Sequence, residues 1–292
     1  MLLRERMRDY PFSHSERLIV DYMLEKNMAV GDVSAREIAR ETYTSPSTLV
    51  RMAKKLGFDG WNDMKDAFLK ETSYLESHFR ALDANKPFTS TDNIMTIASK
   101  IANLHAESAM DTLSLTDHDT LQKAVRLLED ASEVRMFAIA NLNYPCEEFV
   151  FKLRRINKRA FHDPVQDNQW HDALMTPKSA CAVLMSYSGE TPNLLKTAGY
   201  LKSAGVPMIA ITSVGENSLS KIADVTLRLT TRERSFSKIA GFTSEASIKV
   251  VLDTLYACLF ARNYDKNMAF KISVAEQLEH NRRIDNNIIS ED

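Results

Sequence analysis

Residues 180–196 read ACAVLMSYSGETPNLLK: six apolar residues, Ala180 to Met185, stop abruptly in Ser186, Ser188, Gly189 and Thr191, and a helix-like pattern follows. A short, wholly apolar run bounded by turn residues reads as a buried strand. Its neighbours extend the reading. EVRMFAIA (133–140), PMIAIT (207–212) and VTLRL (225–229) are further candidate strands, while EEFVFKLRRI (147–156) and NLLKTAGYLKSAG (193–205) are helical, the second ending on a glycine stop. Strands alternating with helices at this spacing predict βαβ units and a mostly parallel sheet covered on both faces, an α/β domain.

Three hydroxyls and a glycine within six residues call for a chemical reason. In open α/β sheets ligands bind beyond the carboxyl ends of the strands. The first turn of a helix there offers unpartnered N–H donors and the positive end of its dipole, which suit an anion such as phosphate. Gly189 lets the backbone approach the guest, and Ser186, Ser188 and Thr191 add neutral donors. A plainer reading is that Ser188 or Thr191 only caps the helix, with Pro192 in its first turn.

The first 78 residues are different in kind: short helices without strand signals. SHSE (13–16) and SARE (34–37) match the capping-box spacing, and in SPSTLV Ser45 can cap a helix with Pro46 at its first position. Helices over about 35–41 and 46–56, so closely joined, predict a helix-turn-helix. The second is expected to bury Leu49, Val50, Ala53 and Leu56 and to expose Ser47, Thr48, Arg51, Lys54 and Lys55. Residues 1–78 carry 12 Lys and Arg against 13 Asp and Glu, yet residues 42–58 hold Arg51, Lys54 and Lys55 and no acid. Short hydroxyls at a helix start, with basic residues beyond, suit bases and phosphates respectively. A solvated helix face is the bland alternative.

The bulk numbers set limits. At 292 residues two domains are expected. A net charge of −2 announces no global basic field. Three scattered cysteines without metal-ligand spacing fit a reduced, cytoplasmic setting, and no metal or cofactor is implied. The charged N-terminus lacks a signal-like apolar core, and no apolar run is long enough to span a bilayer. The expected organisation is a helix-turn-helix domain over 1–78, a linker over 79–92 (Pro87 lies in it), a helical lead-in over 93–132, an α/β domain over 133–264 and a tail over 265–292.

These motifs resemble a known architecture. SYSGET matches the S-x-S-G-x-T phosphate loop of sugar isomerase (SIS) domains, and GVPMIAITSVGENSLSKIADVTLRL is similar to the family segment that follows. SPSTLVRMAKKLGFDGW (45–61) is similar to the helix-turn-helix pattern of RpiR-family transcriptional regulators, with Phe58 and Trp61 as core anchors. The resemblance, over about 14 to 262, implies a regulator that binds double-stranded operator DNA as a homodimer or homotetramer through its SIS domains. It further implies that Ser186, Ser188, Gly189 and Thr191 hold a phosphorylated sugar effector. The implied DNA-facing residues are Ser45, Ser47, Thr48, Arg51, Lys54 and Lys55.

One part of the pattern departs. Where the family has a G-x-G-x-S turn after the first strand, this chain has Ala138, Ala140 and Leu142. Either Asn141 and Asn143 supply substitute polar contacts, or the pocket has lost its sugar and survives as a dimerising scaffold. SIS folds also occur in isomerases, so His162, His171 and Glu245 are the available bases. No acid/base pair is fixed by the sequence, and a DNA-binding domain has no use in an isomerase, so no catalytic residue is expected.

Overall fold

The computed structural model describes residues 3–78 and 82–279. By contacts the chain divides into two compact units, Met1–Asp111 with Ser213–Asn217 and Thr230–Thr243, and Thr112–Thr212 with Ser218–Leu229 and Ser244–Asp292.

The first unit opens with five helices: α1 (Leu3–Asp9), α2 (His14–Lys26), α3 (Ala35–Glu41), α4 (Pro46–Lys55) and α5 (Trp61–His78). Both capping boxes form. Ser34 accepts from the Glu37 amide while the Glu37 carboxylate takes the Ser34 N–H, and the Glu16 carboxylate takes both the N–H and the hydroxyl of Ser13. Helix α4 ends where Gly57 turns with φ +84°, a conformation that suits glycine. One core gathers Ile19, Val20 and Met23 of α2, Ile38 and Ala39 of α3, Leu49, Met52, Ala53 and Leu56, and Trp61, Met64 and Phe68 of α5. Trp61 is buried, and Phe58 packs against this core, as expected of anchors.

The phase of α4 differs from expectation. Its buried side is Leu49, Met52, Ala53 and Leu56, with Thr48 only 5% exposed, whereas Val50 is 40% exposed. A helix starting at Pro46 turns positions 49, 52, 53 and 56 to the same stripe, so Met52 takes the place predicted for Val50.

The rest of this unit holds most of helix α6 (Ile94–Ser114) and a segment before it. Residues 82–92 carry turns and no helix or strand, while residues 79–81 of the expected linker lie outside the described residues. Asn85 accepts from the Arg234 amide, and the Arg232 guanidinium donates to the Leu82 carbonyl and to Glu107.

The second unit follows with α7 (His118–Asp130), β1 (Val134–Phe137), α8 (Asn143–Arg154), β2 (Ala160–His162), α9 (Gln166–Met175), β3 (Cys181–Met185), α10 (Pro192–Ala204), β4 (Met208–Ser213), α11 (Ser218–Ile222), β5 (Val225–Leu229), α12 (Phe242–Arg262) and α13 (Tyr264–Glu279). The strands form one sheet in the order β2-β1-β3-β4-β5, with β1 parallel to β2 and β3, and β3 parallel to β4. Strand period decides the packing. Cys181, Val183 and Met185 face a core with α7, α8 and α12, and Ala182 and Leu184 face a second core with Leu194, Ala198 and Leu201 of α10. Burial on both faces explains why β3 reads as an unbroken apolar run. Strand β1 is shorter than 133–140 because Ala140–Leu142 forms a 3-10 turn. The expected tail is helical as far as Glu279, and residues 280–292 lie outside the described residues. No helix among the described residues is long and apolar enough to cross a membrane.

Candidate functional site

The strand order reverses direction between β1 and β3, so the crevice beyond their carboxyl ends is the place where open sheets of this order bind ligands. Phe137 pairs with Leu184 in the β1–β3 ladder, which sets the turn after β1 beside the turn after β3.

The turn after β3 is residues 186–191. Gly189 has φ +68°, the left-handed conformation that the glycine permits. Ser186 is 3% exposed, and its hydroxyl accepts from the Gly189 N–H at 3.0 Å and meets the Thr191 hydroxyl at 2.9 Å. Ser188 is exposed, and its hydroxyl accepts from the Glu190 N–H at 3.1 Å. The expectation of an unpaired donor cluster is therefore corrected: the loop satisfies several of its own donors, and Ser186 shapes the turn from within. Thr191 is the residue preceding α10, yet its side chain makes no capping bond. The plain capping role does not explain these hydroxyls.

Two contacts absent from the sequence reading brace the loop. Glu190 accepts the Ser218 N–H at 2.9 Å, and the Gly189 carbonyl accepts the Leu219 N–H at 3.0 Å. Both tie the loop to the start of α11.

The turn after β1 keeps a glycine-like backbone without glycine. Ala140 has φ +58°, a left-handed conformation that costs an L residue with a Cβ about 1–2 kcal/mol. Asn141 is exposed, and its amide donates to Glu245 Oε1 at 3.1 Å. Asn143 donates to the Pro164 carbonyl at 3.3 Å, and its buried Oδ1 has no hydrogen-bond partner among the described residues. His162, at the end of β2, donates from Nδ1 to the Met136 carbonyl at 3.0 Å. Its Nε2 is buried and likewise unpartnered among the described residues. Gln169, 2% exposed, was not singled out from the sequence. Its amide donates to the carbonyls of Ala138 and Asp163, at 2.8 and 2.9 Å, and fastens the ends of β1 and β2 together. No group of three or more metal-ligating side chains occurs among the described residues.

In the helix-turn-helix, Ser45, Ser47, Arg51, Lys54 and Lys55 are exposed to varying degree, and Ser47, Val50, Arg51, Lys54 and Lys55 line an open hollow along α4. Thr48 departs from its expected place: it is buried, and its hydroxyl lies 3.0 Å from Ser45 Oγ, which also meets Ser47 Oγ at 2.7 Å. Lys55 is not simply solvated either. Its ammonium lies 2.8 Å from the carboxylate of Glu16, a side chain only 1% exposed. The positive charge of α4 is thus partly answered from within the domain.

Fold and sites define a two-part protein, a helix-turn-helix joined to a parallel α/β domain with a hydroxyl-rich turn at its switch point. Comparison with known proteins agrees. Residues 1–74 match the family model "Helix-turn-helix domain, rpiR family" and residues 127–261 match the SIS domain. The chain belongs to the RpiR family of transcriptional regulators. It is 26% identical over 275 residues to an uncharacterized HTH-type transcriptional regulator of Caldanaerobacter subterraneus subsp. tengcongensis, covering 94% of this chain and 95% of that one. Among solved structures it resembles the Vibrio vulnificus NanR protein complexed with ManNAc-6P, at 22% identity and TM-score 0.62, over 97% of this chain and all of that one. The sugar isomerase domain of an RpiR transcription factor from Sphaerobacter thermophilus matches at 16% identity and TM-score 0.56, covering 62% of this chain and 98% of that domain.

Proposed function

We propose that this regulator binds operator DNA through α4 and senses a phosphorylated sugar in the crevice between the turns after β1 and β3. The observation that carries the reading is the S-x-S-G-x-T loop at the switch point, whose hydroxyls leave the start of α10 uncapped. The amides there and the helix dipole favour a dianionic monoester, with Ser188 the exposed hydroxyl able to donate to it. The neighbour NanR, bound to ManNAc-6P, supports a phosphorylated sugar as the class of effector. Asn141 and Asn143 face the sugar side in this reading, and the left-handed Ala140 preserves the turn that glycine makes elsewhere in the family.

The site is read as a binding site and not a catalytic one. Glu245 already accepts from Asn141, and no acid or base side chain meets the His162 Nε2 among the described residues, so no acid/base pair is assembled there. An isomerisation assay with sugar phosphates tests this; turnover abolished by Glu245→Gln would overturn it.

On DNA, Ser45, Ser47 and Arg51 approach base edges and Lys54 a phosphate. Paired copies, joined through the SIS domain, read two half-sites spaced by whole helical turns. The effector acts only by binding one arrangement of the copies more tightly than another.

A second reading has its own support. Because the loop pairs several of its own donors, it is stable without a guest, as a ligand-free dimerising scaffold requires. Operator titration with and without sugar phosphates separates the two: a shifted midpoint, lost in Ser188→Ala, belongs to the sensor alone.

A further inference from the structure

Glu16 lies in the second helix of the DNA-binding domain, away from the two helices the motif assigns to DNA. Its carboxylate is 1% exposed, takes the N–H and hydroxyl of Ser13 at 3.0 and 2.8 Å, and meets Lys55 Nζ at 2.8 Å. Arg51 Nε lies 3.7 Å away, with the Arg51 side chain 65% exposed. One buried acid therefore faces two of the three basic residues of α4. Lys54, the third, makes no ion pair among the described residues.

An ion pair with one partner withdrawn from water is held far more firmly than a surface pair. Moving Lys55 to a phosphate would leave Glu16 charged, buried and stripped of its closest cation. That is costly, so Lys55 stays with the protein. Arg51 is different: at 3.7 Å it is attracted to Glu16 but its guanidinium keeps free N–H donors in the open hollow of α4.

We propose that Glu16 is a specificity-determining positioning residue: it withholds Lys55 from the DNA backbone and biases the direction of the Arg51 guanidinium. The inference rests on the assignment of α4 as the DNA-reading helix. Its consequence is a deliberate loss of non-specific attraction. Phosphate contacts strengthen binding to every sequence, whereas base contacts distinguish sequences. Removing one cation from the phosphate-facing set lowers affinity for all DNA while keeping the reading group aimed.

The test is the salt dependence of binding by the full chain to operator and to a non-operator duplex. Each phosphate contact contributes about 0.9 to the slope of log K against log salt. Lys54→Ala is expected to reduce the slope by about 0.9 and Lys55→Ala to leave it unchanged. Glu16→Gln, which keeps size and the Ser13 contacts, is expected to raise the slope by about 0.9 on both duplexes through the released Lys55, and to narrow the operator preference through the Arg51 guanidinium it no longer directs. Because Lys55→Ala strands the buried Glu16 charge, the Glu16→Gln/Lys55→Ala double variant, which strands none, decides should either single variant fail to fold: its slope is expected to match that of the parent. A slope reduced equally in Lys54→Ala and Lys55→Ala overturns the role of Glu16 while leaving α4 as the DNA helix. Unchanged operator binding in Arg51→Ala and Lys54→Ala together overturns the assignment of α4, and the inference with it.

Discussion

The Ser186 hydroxyl lies 2.9 Å from the Thr191 hydroxyl, and the same oxygen receives the Gly189 N–H. Two ends of the loop are thereby closed on each other by a residue that is almost wholly buried. Ser186 and Ser188 look alike in sequence, yet they should behave differently. Ser186→Ala removes the hydroxyl contacts with Gly189 and Thr191, while the Gly189 N–H keeps the Ser186 carbonyl at 3.2 Å, and should lower stability by about 0.5–1.5 kcal/mol. Ser188→Ala, at an exposed position, should change stability by less than about 0.5 kcal/mol. Thermal melts of the two variants check this; equal losses would mean that Ser186 has no shaping role.

Ala140 holds a left-handed backbone at φ +58°. Glycine removes the clash of Cβ with the following carbonyl, at the expense of a more flexible unfolded chain. The balance favours Ala140→Gly by up to about 1 kcal/mol. A rise in the melting temperature of that variant is expected, and a fall would show that the alanine methyl makes a packing contribution larger than the strain.

Arg51 and Lys54 lie one turn apart or less on α4, both exposed, and differ in what they are expected to read. Arg51→Ala should cost about 1–3 kcal/mol on operator DNA and little on unrelated duplex. Lys54→Ala should weaken both alike. Fluorescence anisotropy on the two duplexes measures the split; uniform losses in both variants would place Arg51 on the backbone rather than on bases.

Burial alone would raise the pKa of Glu16, but the bond from Lys55 and the Ser13 donors outweigh it and hold the carboxyl below its ordinary 4.5. A group with a depressed folded pKa stabilises the fold above its unfolded value, and that contribution is lost as pH falls through the folded value. Stability should therefore decline as pH drops below about 4.5, with Glu16 as one contributor. Melting temperatures in neutral and acidic buffer test it. Glu16→Gln should be less stable than the parent at neutral pH and should lose less on acidification. An identical acid loss in both proteins would remove Glu16 from the account.

Much of the fold is legible in the sequence, for physical reasons. Capping boxes at Ser13 and Ser34 depend on side chains three residues apart, and both form. The buried run Cys181–Met185 is uninterrupted because both faces of β3 are covered, so it was legible as a strand. What escaped depends on phase or on distant partners. Val50 is exposed and Thr48 and Met52 buried because the inward stripe of α4 runs through 48, 49, 52, 53 and 56, and each residue along a helix turns a side chain by about 100°. Gln169 matters only because β1 and β2 end beside each other. The Lys55–Glu16 pair joins positions 39 residues apart, a separation that no local spacing rule reaches. The hydroxyls of the 186–191 loop were visible as a set, but which of them faces inward was not.

The most direct measurement is a calorimetric titration of the full chain with a panel of hexose and hexosamine phosphates and the matching unphosphorylated sugars. The account predicts that a phosphorylated member binds, that its unphosphorylated form does not, and that Ser188→Ala weakens binding by about 10-fold or more through loss of a hydrogen bond to a charged group. Binding of no member of the panel, or equal binding by the parent and Ser188→Ala, would contradict it.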